Sequence, residues 1–513
     1  MATDTKNMTE HMAVAASDSK GAEDVELSQD APVIDEETNR KLLRKIDMRL
    51  MPVMCFTYAL QYYDKALLSQ AAIFGLRDDL GIQDGLKYSW VSLIFYFGYI
   101  AGCYPISWLS QKFSIRRVCP IICFLWAIVV ICTPACTNYG GMLVNRFMLG
   151  LIESGVSPAF MLCTGMWYTH SEQVFRSSLW YSFSGGSNII SPLINYGLGH
   201  ISGGAMHPWQ YMYLIAGIAT LLWSVVLWFI FPGSPEEAKG FTDEERKLLL
   251  ERVRANNAGS ENKHFKWYQM REAFLSYHFW FIFLLSTLSS IGSGAVTTFG
   301  SIIFNGMGFS TFQSLLLNMP IGALAFICVL GSGYIGRKVP NARLHIISGA
   351  CVPVILGSCL MYVHPTLIPQ FLALTYWLCS SWRLPSTERA ARIIGFYLIN
   401  FFSSAWVQCI AMGTSNVAGH TKKATMAAGT FIGYSLGNII GPLTFDANDA
   451  PRYDPGFQAT VICFAICCVL AQVFRALLLG QNKRRDREYG MPSAEHGLED
   501  LTDGENKSFR YPL

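Results

Sequence analysis

The chain has 513 residues, of which 51% are hydrophobic and 15% charged, against about 25% charged in an average soluble domain. Its 39 basic and 36 acidic residues leave a net charge of +3, which offers no electrostatic footprint for nucleic acid. A helix needs about 20 apolar residues to cross a bilayer, and several nearly uncharged runs here meet that length, so a soluble enzyme is excluded.

The first 49 residues are polar and acidic. They lack the basic start and short apolar core of a cleavable signal, so 1–49 reads as an acidic cytoplasmic tail of disordered composition, with the first span serving as the insertion signal. Apolar runs then predict spans at 50–72, 88–109, 118–136, 141–167, 178–201 and 211–231. A second set falls at 278–299, 314–335, 343–363, 391–415, 424–446 and 456–479. Helices are the open structure that satisfies its own backbone in lipid. The expected fold is therefore all-α and integral to the membrane, with twelve transmembrane helices in two pseudo-symmetric six-helix bundles, 50–231 and 278–479. A tail follows at 480–513. Most of the 15 cysteines lie inside apolar runs and read as buried free thiols acting as small hydrophobes.

Lys and Arg near the spans orient the chain. Arg40, Lys41, Arg44, Lys45 and Arg49 precede span 1, Arg116 and Arg117 follow span 2, and Lys422 and Lys423 precede span 11. These loops all fall on one side, and the opposite loops are almost free of basic residues. Both termini are thus expected in the cytoplasm, in a multi-pass protein of the plasma membrane. Residues 364–390 disturb the order: a stretch too short for a span is followed by Arg383, Glu388 and Arg389. It reads as a re-entrant or surface insertion, or as a retained intron. The long hydrophilic segment 232–277 carries eight basic and eight acidic residues, and Thr242-Asp-Glu-Glu245 predicts a capping box opening a helix to about Ala255.

The two halves are related. Ser187-Asn188-Ile189-Ile190-Ser191-Pro192-Leu193 in span 5 matches Gly437-Asn438-Ile439-Ile440-Gly441-Pro442-Leu443 in span 11 at five of seven positions, offset by 250 residues. Repeated six-helix halves are a common transporter plan, with the substrate site near the midplane between them.

Several strings resemble the major facilitator superfamily, and within it the fungal allantoate permease-like branch of anion:cation symporters. They include Ile46-Asp47-Met48-Arg49-Leu50-Met51-Pro52 and Tyr63-Asp64-Lys65-Ala66-Leu67-Leu68-Ser69. Asn145-Arg146-Phe147 with Gly150 and Glu153 and Asn416-Val417-Ala418-Gly419-His420 belong to the same set. The resemblance covers roughly 40 to 490. It implies proton-coupled uptake of a small organic anion, such as a ureido acid, pyridine carboxylate or vitamin acid, by alternating access.

Charges deep in a span are costly and mark pathways or relays. The first half holds Asp64, Lys65, Arg146 and Glu153. The second offers neutral groups such as Asn318, Asn400, Gln408, Asn416 and Asn438. Glu153 and Asp64 are the proton-coupling candidates, because a desolvated carboxylate favours its protonated form. Arg146, Lys65, Asn188, Asn438 and Gln408 are the substrate-binding candidates. Asp64 and Arg146 fall at similar depth and are expected to pair. The alternative for these charges is structural pairing, and for Asn188 and Asn438 it is close helix packing among Gly and Ser. No cofactor, metal site or enzymatic motif is expected, and the partners are a small organic anion, protons and lipid, with a monomeric chain. The alternative function is a proton-antiport exporter of a fungal metabolite or drug.

Overall fold

The computed structural model describes residues 35–201, 204–233, 235, 240–254, 266–339, 341–362, 387–450, 452–490 and 501–513. The acidic stretch 1–34 and most of the unusual 364–390 segment lie outside the described residues. The chain divides into Met1–Leu42 and Leu43–Leu513. In the first unit the described residues open helix α1, where Glu37 and Lys41 form an exposed pair at 2.6 Å one turn apart.

The described residues are helical and contain no strand. The first half holds α1 (Glu36–Ala71), α2 (Lys87–Lys112), α3 (Ile115–Cys132), α4 (Tyr139–Glu153), α5 (Val156–Trp167), α6 (His170–Gly199) and α7 (Pro208–Ile230). The segment between the halves holds α8 (Asp243–Arg254) and α9 (Trp267–Leu275). The second half holds α10 (Tyr277–Gly306), α11 (Thr311–Leu316), α12 (Asn318–Lys338), α13 (Arg343–Tyr362), α14 (Thr387–Ile399), α15 (Phe402–Ser415), α16 (His420–Leu443) and α17 (Asp454–Tyr489). All twelve expected spans are present. Helix α1 begins at Glu36 and not near 50, its first turn carrying Glu36 and Glu37, where carboxylates favour a helix N-terminus.

Nine helices among the described residues are long and apolar enough to cross a membrane. The other three spans, α1, α6 and α16, have 36, 30 and 24 residues but are more polar. Their polarity has a location: they carry Asp64, Lys65, Asn188 and Asn438. Burial therefore comes from protein neighbours on several sides.

Three spans that read as continuous are interrupted: span 8 close to its start, at Leu317 between α11 and α12, and two others nearer their middles. Span 4 breaks at Ser154-Gly155 between α4 and α5, immediately after Glu153, and span 10 breaks at Asn400-Phe401 between α14 and α15. The 250-residue offset of the repeat makes spans 4 and 10 counterparts, and the two breaks fall within a few residues of equivalence. The first is tightly packed: a Cβ on Gly155 would sit 2.2 Å from Ile106 Cγ2.

The halves meet along two helix pairs, α6 with α12 and α2 with α16. Small residues permit the first. At Gly185 an added Cβ would lie 2.5 Å from the Gly322 carbonyl oxygen, and at Gly322 one would lie 2.6 Å from the Gly185 oxygen. The second pair is polar. Ser89 Oγ donates to Phe445 O at 3.2 Å, and Tyr96 OH donates to Asn438 Oδ1 at 3.0 Å. Near the same end, Tyr88 OH donates to Thr298 O at 2.8 Å and the Ser301 N–H to Ser69 Oγ at 3.1 Å. These bonds lie toward the end where α1 and α10 finish, which is the end away from the linker.

The rims on the linker side are held differently in each half. In the first, Arg176 bonds Asp47 at 3.0 Å, Lys45 meets Glu245 at 2.6 Å, and Arg252 of α8 pairs with Glu172 of α6. The expected capping box forms, with the Thr242 N–H on Glu245 Oε2 at 2.8 Å and the Glu245 N–H on Thr242 Oγ1 at 3.2 Å. In the second half the segment 501–513 plays the corresponding part. Lys422, 2% exposed at its side chain, sits between Glu272 at 2.8 Å and Asp503 at 2.6 Å. Arg485 of α17 donates to the backbone oxygens of Asp503 and Phe509, and the Arg343 N–H donates to Leu513 O at 3.2 Å.

Candidate functional site

Helix α1 supplies most of the site. Gln61, Lys65 and Ser69 are spaced four residues apart and share one face, while Asp64 points elsewhere. Glu153, at the end of α4, is fully buried. Gln61 Nε2 donates to its Oε2 at 3.3 Å and to its backbone oxygen at 3.4 Å. The other carboxylate oxygen, Oε1, has no partner. An unpaired buried carboxylate oxygen is expensive unless it can take a proton or a ligand donor.

Asp64 accepts a bond from Trp126 Nε1 at 2.7 Å on one oxygen, and its second oxygen is also unpaired. Arg146 is buried, donates through Nη2 to the Tyr213 hydroxyl, and lies 5.4 Å from that ring's centre. The expected direct ion pair between Asp64 and Arg146 is not formed, because each spends its short contact on an aromatic partner. The four charges still act on one another: Glu153 lies within electrostatic reach of Lys65 and Arg146, and Asp64 within reach of Glu153 and Arg146. Two carboxylates and two cations balance within one buried cluster, as burial of charge requires.

Lys65 is the member of this cluster that also reaches the interface between the halves. Its ammonium lies 5.1 Å from the Phe95 ring centre, 5.5 Å from Tyr62 and 5.7 Å from Tyr99. Such rings stabilise a cation without neutralising it. Lys65 also lines a cavity between the halves, together with Gln70 and Asn188 from the first half and Thr297, Ser301 and Asn318 from the second. Its volume is about 30 Å³, room for a water or two. The centre is thus nearly closed, and the halves must part before an organic molecule can enter.

The predicted residues therefore separate into groups. Lys65 and Asn188 are brought together on the cavity. Glu153, Asp64 and Arg146 lie behind it in the first half. Asn438, equivalent to Asn188 in the repeat, is instead held by Tyr96 and by its own Nδ2 donating to Tyr434 O at 2.9 Å. Gln408 donates to Ser332 O at 3.1 Å and is fully buried away from the cavity. Reasoning from the sequence missed Gln70 and Asn195. Tyr63 OH donates to Asn195 Oδ1 at 2.9 Å, Asn195 in turn donates to Gln70, and Gln70 Nε2 donates to Ser191 Oγ at 2.9 Å. The signal was present: Gln70 stands nine residues after Gln61, and Asn195 one turn after Ser191.

Residues 54–442 match the model of the Major Facilitator Superfamily. The chain belongs to that superfamily. Among relatives, an uncharacterized transporter of Schizosaccharomyces pombe is 36% identical, covering 95% of this chain and 92% of its own. The allantoate permease of Saccharomyces cerevisiae is 31% identical, covering 96% and 90%. A thiamine pathway transporter of the same yeast is 32% identical, covering 93% and 87%. Among solved structures, the xylose transporter of E. coli in a partially occluded inward-open conformation aligns with a TM-score of 0.59 at 13% identity, covering 84% of this chain and 98% of that one. As a major facilitator, the chain is a multi-pass secondary transporter of a small molecule and not an enzyme, with two pseudo-symmetric helical bundles.

Proposed function

We propose that this major facilitator takes up a small organic anion together with protons, Glu153 being the proton-coupling group and Lys65 the cation that receives the substrate carboxylate. One observation carries the reading. A fully buried carboxylate with an unpaired oxygen stands at a helix break, within electrostatic reach of an ammonium that is caged by aromatic rings and lines the cavity between the halves. Interrupted helices at corresponding positions of the two halves are where transporters of this kind place their sites.

With Glu153 charged, its attraction holds Lys65 back. Protonation removes that attraction and frees the ammonium for an incoming carboxylate. A substrate anion and a proton then enter together, and neither alone leaves the cluster neutral. Asp64 and Arg146 set the field behind this exchange. Asn188, Gln70 and Asn318 offer amide groups to the rest of the substrate, and a ureido or ring-nitrogen carboxylate suits such a lining. Asn438 and Gln408 serve by holding α16 and α15 in place. The positive loops favour both ends in the cytoplasm, uptake of an external anion favours the plasma membrane, and the bundles fall at 50–231 and 278–479. A monomer suffices, since every group invoked comes from one chain.

The test is labelled uptake of a panel of organic acids by cells lacking their own permeases, at acidic and neutral outside pH. Accumulation should rise with outside acidity and disappear in Glu153→Gln, while exchange of internal for external substrate survives. Acid-driven accumulation equal to wild type in that variant removes Glu153 from the role. Efflux driven by inward protons, without uptake, would instead favour an exporter.

A further inference from the structure

A larger cavity lies away from the centre. It has a volume of about 410 Å³ and opens in the first half on the linker side, within the range of ordinary ligand pockets. Its floor is α1, through Arg49, Leu50 and Val53, its far wall is Arg116 at the start of α3, and Phe241 closes it from the linker. Phe229 and Ile230 stand at its mouth and are 72% and 47% exposed.

Two features select the occupant. The first is charge. Arg49 and Arg116 both face the cavity, no acidic residue lines it among the described residues, and Arg116 makes no hydrogen bond or ion pair with the described residues. Arg49 lies 4.6 Å from the Phe241 ring centre, and its guanidinium lies against Gly240, whose φ of +80° favours glycine. The second is the surface outside. Leu222, Val225 and Phe229 of α7 are 63%, 53% and 72% exposed and recur at one-face helical spacing, forming an apolar stripe that leads into the mouth. A soluble anion would gain nothing from that stripe.

We infer that this cavity binds an anionic phospholipid, its headgroup phosphate against Arg116 and Arg49 and an acyl chain along the exposed face of α7. Basic pockets among transmembrane helices commonly take such headgroups. Because Gly240 and Phe241 form one wall, an occupied cavity ties the linker to the first half.

Native mass spectrometry on the purified full chain tests this, using phosphatidylglycerol and phosphatidylcholine with the same acyl chains. Wild type should retain phosphatidylglycerol preferentially. Arg116→Gln should weaken that binding roughly tenfold or more, the worth of one charge-assisted hydrogen bond. Arg116→Lys should keep most of it, and Arg337→Gln, in the matching loop of the second half, all of it. Unchanged phosphatidylglycerol retention in Arg116→Gln, or equal retention of the two lipids, overturns the inference. Displacement of the lipid by millimolar inorganic phosphate would show a small-anion site and overturn it as well. If Arg116→Gln proves unstable in detergent, Arg116→Met takes its place, and unchanged phosphatidylglycerol preference in that variant overturns the inference.

Discussion

The two halves share a plan and differ in what they bury. The first encloses Asp64, Lys65, Arg146 and Glu153 in one electrostatic group, while the second fills comparable depth with Asn400, Gln408, Asn416 and Asn438, all at most 3% exposed. Even the matched pair diverges: Asn188 looks onto the cavity, and Asn438 is consumed by Tyr96 and Tyr434. A buried charge is costly but responds to protons and ions, whereas a buried amide carries no charge and responds to neither. The division of labour follows: one bundle is equipped to sense charge, and the other to give it a rigid wall to move against.

The comparison can be broken most readily at Arg146. Arg146→Ala leaves Asp64 and Glu153 short of a cation, and removing one member of a buried charged group costs about 3–5 kcal/mol. The expected result is a large drop in thermal midpoint in detergent together with lost uptake. A change at a buried amide of the other half, Asn416→Ala, should be mild, and equal losses in the two variants would erase the distinction.

The next effect is expected at the rim of the second half. Asp503→Asn leaves Lys422 with Glu272 alone, a loss of about 1.5–3 kcal/mol for a charged hydrogen bond, read as a lower midpoint and faster proteolysis at 491–513. Gly150→Ala follows. A Cβ there would stand 1.8 Å from the Phe95 carbonyl oxygen, so α2 and α4 must separate, at about 1–3 kcal/mol for overpacking. Uptake should suffer more than stability, because Glu153 and the Lys65 cage ride on these two helices. Tyr96→Phe should be smallest. It removes one bond between the halves, worth about 1 kcal/mol, and should make cysteines introduced beside Ser89 label roughly fivefold faster from the end of the bundle away from the linker.

Much of this was legible in the sequence, and the reason is length. Twenty apolar residues have one use, so the spans and the repeat could be read directly, and the charges within them marked the first half as the responsive one. What escaped reading depends on neighbours. Nothing in Ser154-Gly155 or Asn400-Phe401 signals a break by composition, since Ser and Gly also occur inside unbroken helices such as α6. Asp64 and Arg146 have suitable depths for pairing, yet depth says nothing of rotation, and Trp126 and Tyr213 captured them first. The segment 501–513 looked like an ordinary polar tail. Its signal was the same as that of the linker helix: Thr502 and Glu505 exchange backbone bonds at 2.8 and 3.2 Å, repeating the spacing of Thr242 and Glu245.

That segment has a consequence for how the molecule is made. Lys422 is inserted with its span early, but the carboxylate of Asp503 is synthesised about 80 residues later, and at ordinary ribosomal speed that is a delay of roughly 4–16 s. Throughout that interval a deeply sheltered ammonium has only Glu272 for company. The second bundle therefore completes its rim only after translation has passed residue 503, and a ribosome that stalls before then leaves a nearly complete transporter whose Lys422 is held by Glu272 alone.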